Sequence, residues 1–133
     1  MRLIVCLDEK RGMAFNRRRQ SRDRVLTEDM VRTVGDARLF VVPYSASLFA
    51  EQMPNLIISE DPMRDATNRD YCFLELSSPA SSENISELIL YHWNRHYPSD
   101  TPFLLDMTDF SLVSTTDFIG FSHEKITKEV WKK

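Results

Sequence analysis

Short apolar runs, separated by polar stretches that carry most of the glycine and proline, set the pattern of this chain. Arg2-Leu-Ile-Val-Cys-Leu-Asp8 is apolar almost throughout, which suits a strand covered on both faces. Residues 9–20 carry Gly12 and little periodicity, and they read as a loop. A helix follows, with Val25, Leu26, Met30, Val31 and Val34 as its apolar positions, Ser21 or Thr27 as its N-cap and Gly35 as its stop. Arg38-Leu-Phe-Val-Val42 predicts a second buried strand closed by Pro43. Tyr44 to Gln52 predicts a short helix with Leu48 and Phe49 on its apolar side, and Leu56 to Ser59 a third strand. Tyr71 to Leu76 and Leu88 to Trp93 read as two more strands. The Ser/Pro/Asn-rich stretch from Ser77 to Asn84 between them has room for a helical turn or two.

Strands alternating with helical or loop connections are the signature of βαβ units and a parallel sheet. After Trp93 the rhythm changes. Phe110 to Thr115 and Ile119 to Trp131 follow one another without a helix, which predicts an antiparallel hairpin added to the sheet edge. The expected fold class is therefore α/β: a mostly parallel central sheet with flanking helices and a C-terminal antiparallel hairpin, in one domain spanning 1–133.

Composition agrees with that picture. The 133 residues are 42% hydrophobic and 28% charged, enough to bury one core without disulfides or a structural metal and unlike a disordered chain. No apolar run of about 18 residues is present to span a bilayer, and the start of the chain lacks the order of a secretory leader. The expectation is a cytoplasmic protein without a membrane partner; nothing in the pattern sets its oligomeric state. Cys6 and Cys72 form no C-x-x-C pair and read as buried free thiols.

Charge changes the picture more. The net charge of −3 conceals a segment, residues 11–24, with six arginines (Arg11, Arg17, Arg18, Arg19, Arg22, Arg24) against one acid, Asp23. A guanidinium presents a planar fork that matches phosphate or carboxylate, and this segment leaves the carboxyl end of the first strand, where parallel sheets place ligands. Arg17, Arg18, Arg19, Arg22 and Arg24 are thus candidates for binding a nucleotide-like small molecule or RNA. The competing reading is a solvated basic face paired with acids such as Glu28 and Asp29. A second cluster, Tyr91-His-Trp-Asn-Arg-His-Tyr97, sets Arg95 and His96 among aromatics that would stack on bases, although packing at a sheet edge explains the aromatics as well. His92 and His96 stand four apart, a ligand pair on a helix but not on a strand, so no metal site is expected. In Ser122-His-Glu-Lys125, His123 is a candidate general base and shares a strand face with Lys125; a charged edge strand that discourages sheet association is the alternative.

The order of elements, with several short stretches, resembles dihydrofolate reductase along nearly the whole chain. Leu3-Ile-Val-Cys-Leu-Asp8 with Gly12-Met13 is similar to that family's first strand and the start of its mobile loop. Leu26-Thr-Glu-Asp-Met30 resembles its L-P-x-D-M segment, Leu56-Ile-Ile-Ser-Glu-Asp-Pro62 its L-S-R-D-P, Asp100-Thr-Pro-Phe103 its G-D-T-x-F, and Phe110 to Trp131 its last hairpin. The resemblance implies that fold. It also implies that Asp29 is the carboxylate holding a pterin in a cleft, where burial raises its pKa; a helix-terminal Asp that complements the dipole is the alternative.

The family's cofactor is NADPH, and here its expected contacts are missing. Pro43-Tyr-Ser-Ala-Ser47 replaces the G-R-x-T segment, no Gly-Gly occurs where backbone would meet pyrophosphate, and no arginine stands near Pro54-Asn55 to grip a folate tail. The expected function is binding of a phosphate-bearing or heterocyclic ligand by the Arg-rich loop and neighbouring cleft, Tyr44 included, with Asp29 and His123 as candidate catalytic groups. The alternatives are an RNA-binding protein or small ribonuclease, and an NADPH-dependent pteridine or pyrimidine reductase with an altered cofactor site. A vaguer resemblance links Asn16 to Arg24, Tyr91 to Pro98 and Ser122 to Lys128 to small bacterial proteins labelled ribonuclease Z. The H-x-H-x-D-H motif of that metal-dependent family is absent, so its activity is not implied.

Overall fold

The apolar run at Arg2–Leu7 becomes β1, an inner strand of a seven-stranded sheet, in the computed structural model, which describes residues 1–49 and 53–133. The further elements are β2 (Gly12–Phe15), β3 (Arg18–Arg19), α1 (Arg24–Val34), β4 (Leu39–Val41), α2 (Pro43–Ala46), β5 (Leu56–Ile58), α3 (Pro62–Asp65), β6 (Tyr71–Phe73), β7 (Glu87–His92), β8 (Thr101–Pro102), β9 (Ser111–Phe118) and β10 (Ile126–Lys132). The large sheet runs β5-β4-β6-β1-β7-β10-β9, and its first five strands are parallel. The last two form the expected hairpin, with β10 antiparallel to β7 and β9 outermost. A small second sheet has the order β3-β2-β8.

Side chains alternate across a strand, so the inner strands feed two cores. Leu3, Val5 and Leu7 pack with Leu88, Leu90, Met13, Phe103 and Phe110 on one face. Ile4, Phe73, Ile89 and Tyr91 pack on the other with Leu26, Met30 and Val34 of α1. Burying a large apolar side chain is worth about 1.5–3 kcal/mol, so these three helix residues contribute roughly 5–8 kcal/mol. That burial holds a helix of 11 residues, too short to persist alone in water. Among the described residues the opposite face has no comparable helix: β2, β8 and irregular chain around Phe103, Leu105 and Phe110 close it.

Several expectations are corrected. Residues 9–20 are not a loop throughout, because β2 and β3 form a hairpin around Asn16 and Arg17, whose φ values of 53° and 60° are those of a tight two-residue turn. Strands this short carry no readable period. The N-cap of α1 is Asp23 rather than Ser21 or Thr27; its carboxylate accepts the Val25 N–H at 2.9 Å. Of the helix predicted over Tyr44 to Gln52, residues 44–46 are helical, in α2, residues 47–49 are not, and 50–52 lie outside the described residues. The β6–β7 connection, 74–86, is irregular, without a helical turn. His123 and Lys125 are not on a strand but in the loop joining β9 to β10. No helix among the described residues is long and apolar enough to cross a membrane. Both cysteines are free, and burial pushes the Cys72 thiol up to about 12.

Candidate functional site

Parallel strands end at one rim of the sheet, and the crevice beyond the ends of β1 and β6 lies there. Arg19 of β3 fills it. Its guanidinium makes two hydrogen bonds of 2.9 Å to the carboxylate of Glu75, just past β6. Ser45 donates to the same carboxylate at 2.8 Å, and the guanidinium lies 4.4 Å from the Tyr44 ring centre. Burial alone would lower the Arg19 pKa, but the Glu75 bonds outweigh it and raise it. Cys6, Met13, Gln20, Ser21, Leu74 and Trp93 enclose what is left, a cavity of about 20 Å³ that fits one water. Arg19, a candidate ligand contact, thus faces an internal carboxylate, and Tyr44, another, lies against its guanidinium.

An open cleft lies beside the first turn of α1. Arg22, Arg24, Thr27, Leu48, Phe121 and Ser122 surround about 480 Å³, with Asp23 at the floor. Phe121 is 67% exposed, and the Arg24 guanidinium sits 4.4 Å from its ring centre. Arg24 also approaches Glu28, but at 4.0 Å between exposed groups that ion pair contributes little. An aromatic face with two solvated guanidinium groups suits a planar ligand bearing negative charge.

Asp23 ties this cleft to the β9–β10 loop. Its carboxylate accepts from the N–H groups of Phe121 (2.9 Å) and Ser122 (2.8 Å) and from His123 Nδ1 (2.9 Å), besides capping α1. Burial would raise this carboxyl; the loop N–H groups, then His123 and Val25, hold it well below the usual range. Gly120 is needed there because a Cβ would stand 2.6 Å from Asp23 Oδ2. His123 is buried, stacks on Trp93 at 4.6 Å, and has Tyr97 Oη and Ser21 Oγ at 2.9 and 3.1 Å from Nε2.

The other candidates are dispersed. Asp29 accepts from Tyr91 Oη at 2.6 Å and pairs with Lys128 at 3.0 Å, a network separate from that of His123. Arg17 and Arg18 are exposed on the β2–β3 hairpin, and Arg18 borders a second cleft of about 250 Å³ with Phe15, Gln20 and Tyr97. Arg95 reaches the Ser122 carbonyl at 3.4 Å, while His96 lines a different hollow with Asp8, Lys10 and Asp100. His92 bonds Glu129 at 2.6 Å, and among the described residues no three potential metal ligands converge. Sequence reasoning missed Ser21, Asp23 and Glu75 as site residues, and read Trp93 and Tyr97 as base-stacking aromatics where the structure has them against His123. Only Asp23 had a usable signal, an Asp directly before an apolar helical run.

No family model and no curated protein matches the chain. Among solved structures, dihydrofolate reductase from Enterococcus faecalis, in a complex with NADP(H) and RAB-propyl, matches with a TM-score of 0.67 over 98% of this chain and 94% of that one. The fold is that of dihydrofolate reductase. Sequence identity is 12%, so the likeness describes the path of the chain and not its chemistry. Within the dihydrofolate reductase fold, this chain places an ion pair at the crevice, irregular backbone after β6 and its open basic cleft at the start of α1.

Proposed function

We infer that this chain is a small-molecule-binding domain on the dihydrofolate reductase fold, taking a planar, phosphate-bearing or heterocyclic ligand in the cleft of Arg22, Arg24 and Phe121, and that it does not reduce pterins. The contrast between two openings carries this reading: the crevice at the ends of β1 and β6 holds about 20 Å³, while the basic aromatic cleft holds about 480 Å³. NADPH is the cofactor that the resemblance implies, and the residues present do not fit it. The turn after β4 offers Tyr44 and Ser45 instead of a glycine and a basic side chain, and the 74–86 connection has no helix N-terminus to receive a pyrophosphate.

Thermal unfolding with AMP, ADP, NADPH or dihydrofolate tests the reading. A mononucleotide at 100 times its Kd stabilises by about 2.7 kcal/mol, a shift of several degrees. We expect that shift with AMP or ADP and its loss in Arg22→Gln/Arg24→Gln. NADPH consumption in the presence of dihydrofolate would overturn the reading.

RNA binding is the second reading. Exposed Phe15 beside Arg17 and Arg18 on one hairpin favours it, since an aromatic with flanking cations stacks on a base and meets backbone phosphate. Its mark is affinity for a short RNA that falls steeply with salt and is lost in Arg17→Gln/Arg18→Gln.

A further inference from the structure

Ser21, His123 and Asp23 stand in the order of nucleophile, base and orienting carboxylate. Ser21 Oγ is 3.1 Å from His123 Nε2, and His123 Nδ1 is 2.9 Å from Asp23 Oδ2. Asp23 Oδ2 accepts at Nδ1, so the neutral imidazole carries its proton there and turns the Nε2 lone pair to a hydroxyl. Trp93, inclined 29° to the imidazole, holds the ring in place. Two hydroxyls converge on Nε2, which has one lone pair: Tyr97 at 2.9 Å and Ser21 at 3.1 Å. Tyr97 alone would satisfy a structural histidine, so the Ser21 hydroxyl exceeds what packing requires. Unlike His123 and Asp23, Ser21 is partly exposed; it lines the cavity of about 20 Å³, and Arg19 and Gln20 separate that cavity from the cleft of about 250 Å³ that Arg18 and Tyr97 border. Tyr97 Oη lies 3.4 Å from Ser21 Oγ, close enough to donate to an oxygen bound beside it.

We propose that Ser21 is a nucleophile for acyl transfer from small, negatively charged esters, with His123 as general base, Asp23 as positioning residue and Tyr97 as donor to the developing oxyanion. Ser21 Oγ bonds to the ester carbonyl carbon while its proton passes to His123 Nε2. The carbon–oxygen bond to the alcohol then breaks, and the alcohol leaves with that proton. Water attacks the acyl-serine, His123 again takes the proton, and the acid is released as Ser21 is restored. Arg18, at the rim of the cleft, attracts the charged end of the substrate. This activity uses a different cleft from the ligand proposed above and stands or falls separately.

The test treats the full chain with a fluorophosphonate probe and measures nitrophenolate release from 4-nitrophenyl acetate and mono-4-nitrophenyl succinate. The proposal expects a mass adduct on the peptide carrying Ser21 and faster release from the succinate ester. Loss of the base or the nucleophile should cost at least about 100-fold, in His123→Gln and Ser21→Ala alike. Ser21→Ala removes one partly exposed hydroxyl and keeps the fold, so it remains decisive if His123→Gln does not fold. Absence of an adduct on Ser21, or ester hydrolysis unchanged in Ser21→Ala, would overturn the proposal.

Discussion

Replacing Asp23 by alanine tests the junction on which both clefts depend. The carboxylate receives the Val25 N–H at the start of α1 and the Phe121 N–H, Ser122 N–H and His123 Nδ1 from the β9–β10 loop. Loss of the helix cap costs about 1 kcal/mol. Each loop N–H left without a partner costs about 1 kcal/mol more, which brings Asp23→Ala to roughly 3–4 kcal/mol. Asp23→Asn keeps an acceptor oxygen but turns an NH2 towards one of the donors, and should cost about 2 kcal/mol. Urea unfolding followed by tryptophan fluorescence measures both. The pH dependence has a definite sign: the folded pKa lies below the unfolded value of about 3.9, so the stabilisation is complete above that value and is lost as pH falls. The difference in stability between the natural protein and Asp23→Asn should therefore shrink between about pH 5 and pH 2. Asp8 and Asp70, also held low by hydrogen bonds, are common to both proteins and cancel in that difference. A cost below about 1 kcal/mol for Asp23→Ala, or a difference that does not vary with pH, would refute this account.

Three further outcomes are expected. Arg19→Met or Glu75→Leu alone leaves a buried charge unpaired and should cost about 3–5 kcal/mol, whereas the double variant should recover most of that loss in a double-mutant cycle by urea unfolding. Gly120→Ala should destabilise by about 1–3 kcal/mol in a thermal melt, because the new Cβ would stand 2.6 Å from Asp23 Oδ2 and 3.0 Å from the His123 carbonyl. Arg17→Gly relieves a non-glycine residue at a φ of 60° and makes the Asn-Gly pair that a two-residue hairpin favours; it should stabilise by about 1 kcal/mol, read as a higher melting temperature.

The large sheet was legible because its inner strands are apolar on both faces, and the C-terminal hairpin because no helical period separates its two halves. β2 and β3 were not legible, since the turn at Asn16 and Arg17 lacks the glycine that marks such hairpins. The arginine cluster was visible as charge, but composition cannot say which arginine turns inward. Arg19 does, because Glu75, far along the chain, meets it across the end of the sheet. His123 was misplaced for a related reason. Its surroundings read as an exposed strand, while its burial depends on Asp23, Trp93 and Tyr97, which only the folded chain brings together.

The position of β1 has a consequence during synthesis. Arg2 lies opposite both Tyr71 and Glu87, so the first strand leaves the ribosome with neither hydrogen-bonding edge satisfied. At typical translation rates roughly 4–17 s pass before β7 has been made, and throughout that time at least one edge of this apolar strand is unpaired. The β9–β10 hairpin closes locally, but it joins the sheet through β7, whose other edge belongs to β1. Folding therefore waits on the slow closure of long loops, and the nascent chain is the form of this protein most exposed to aggregation.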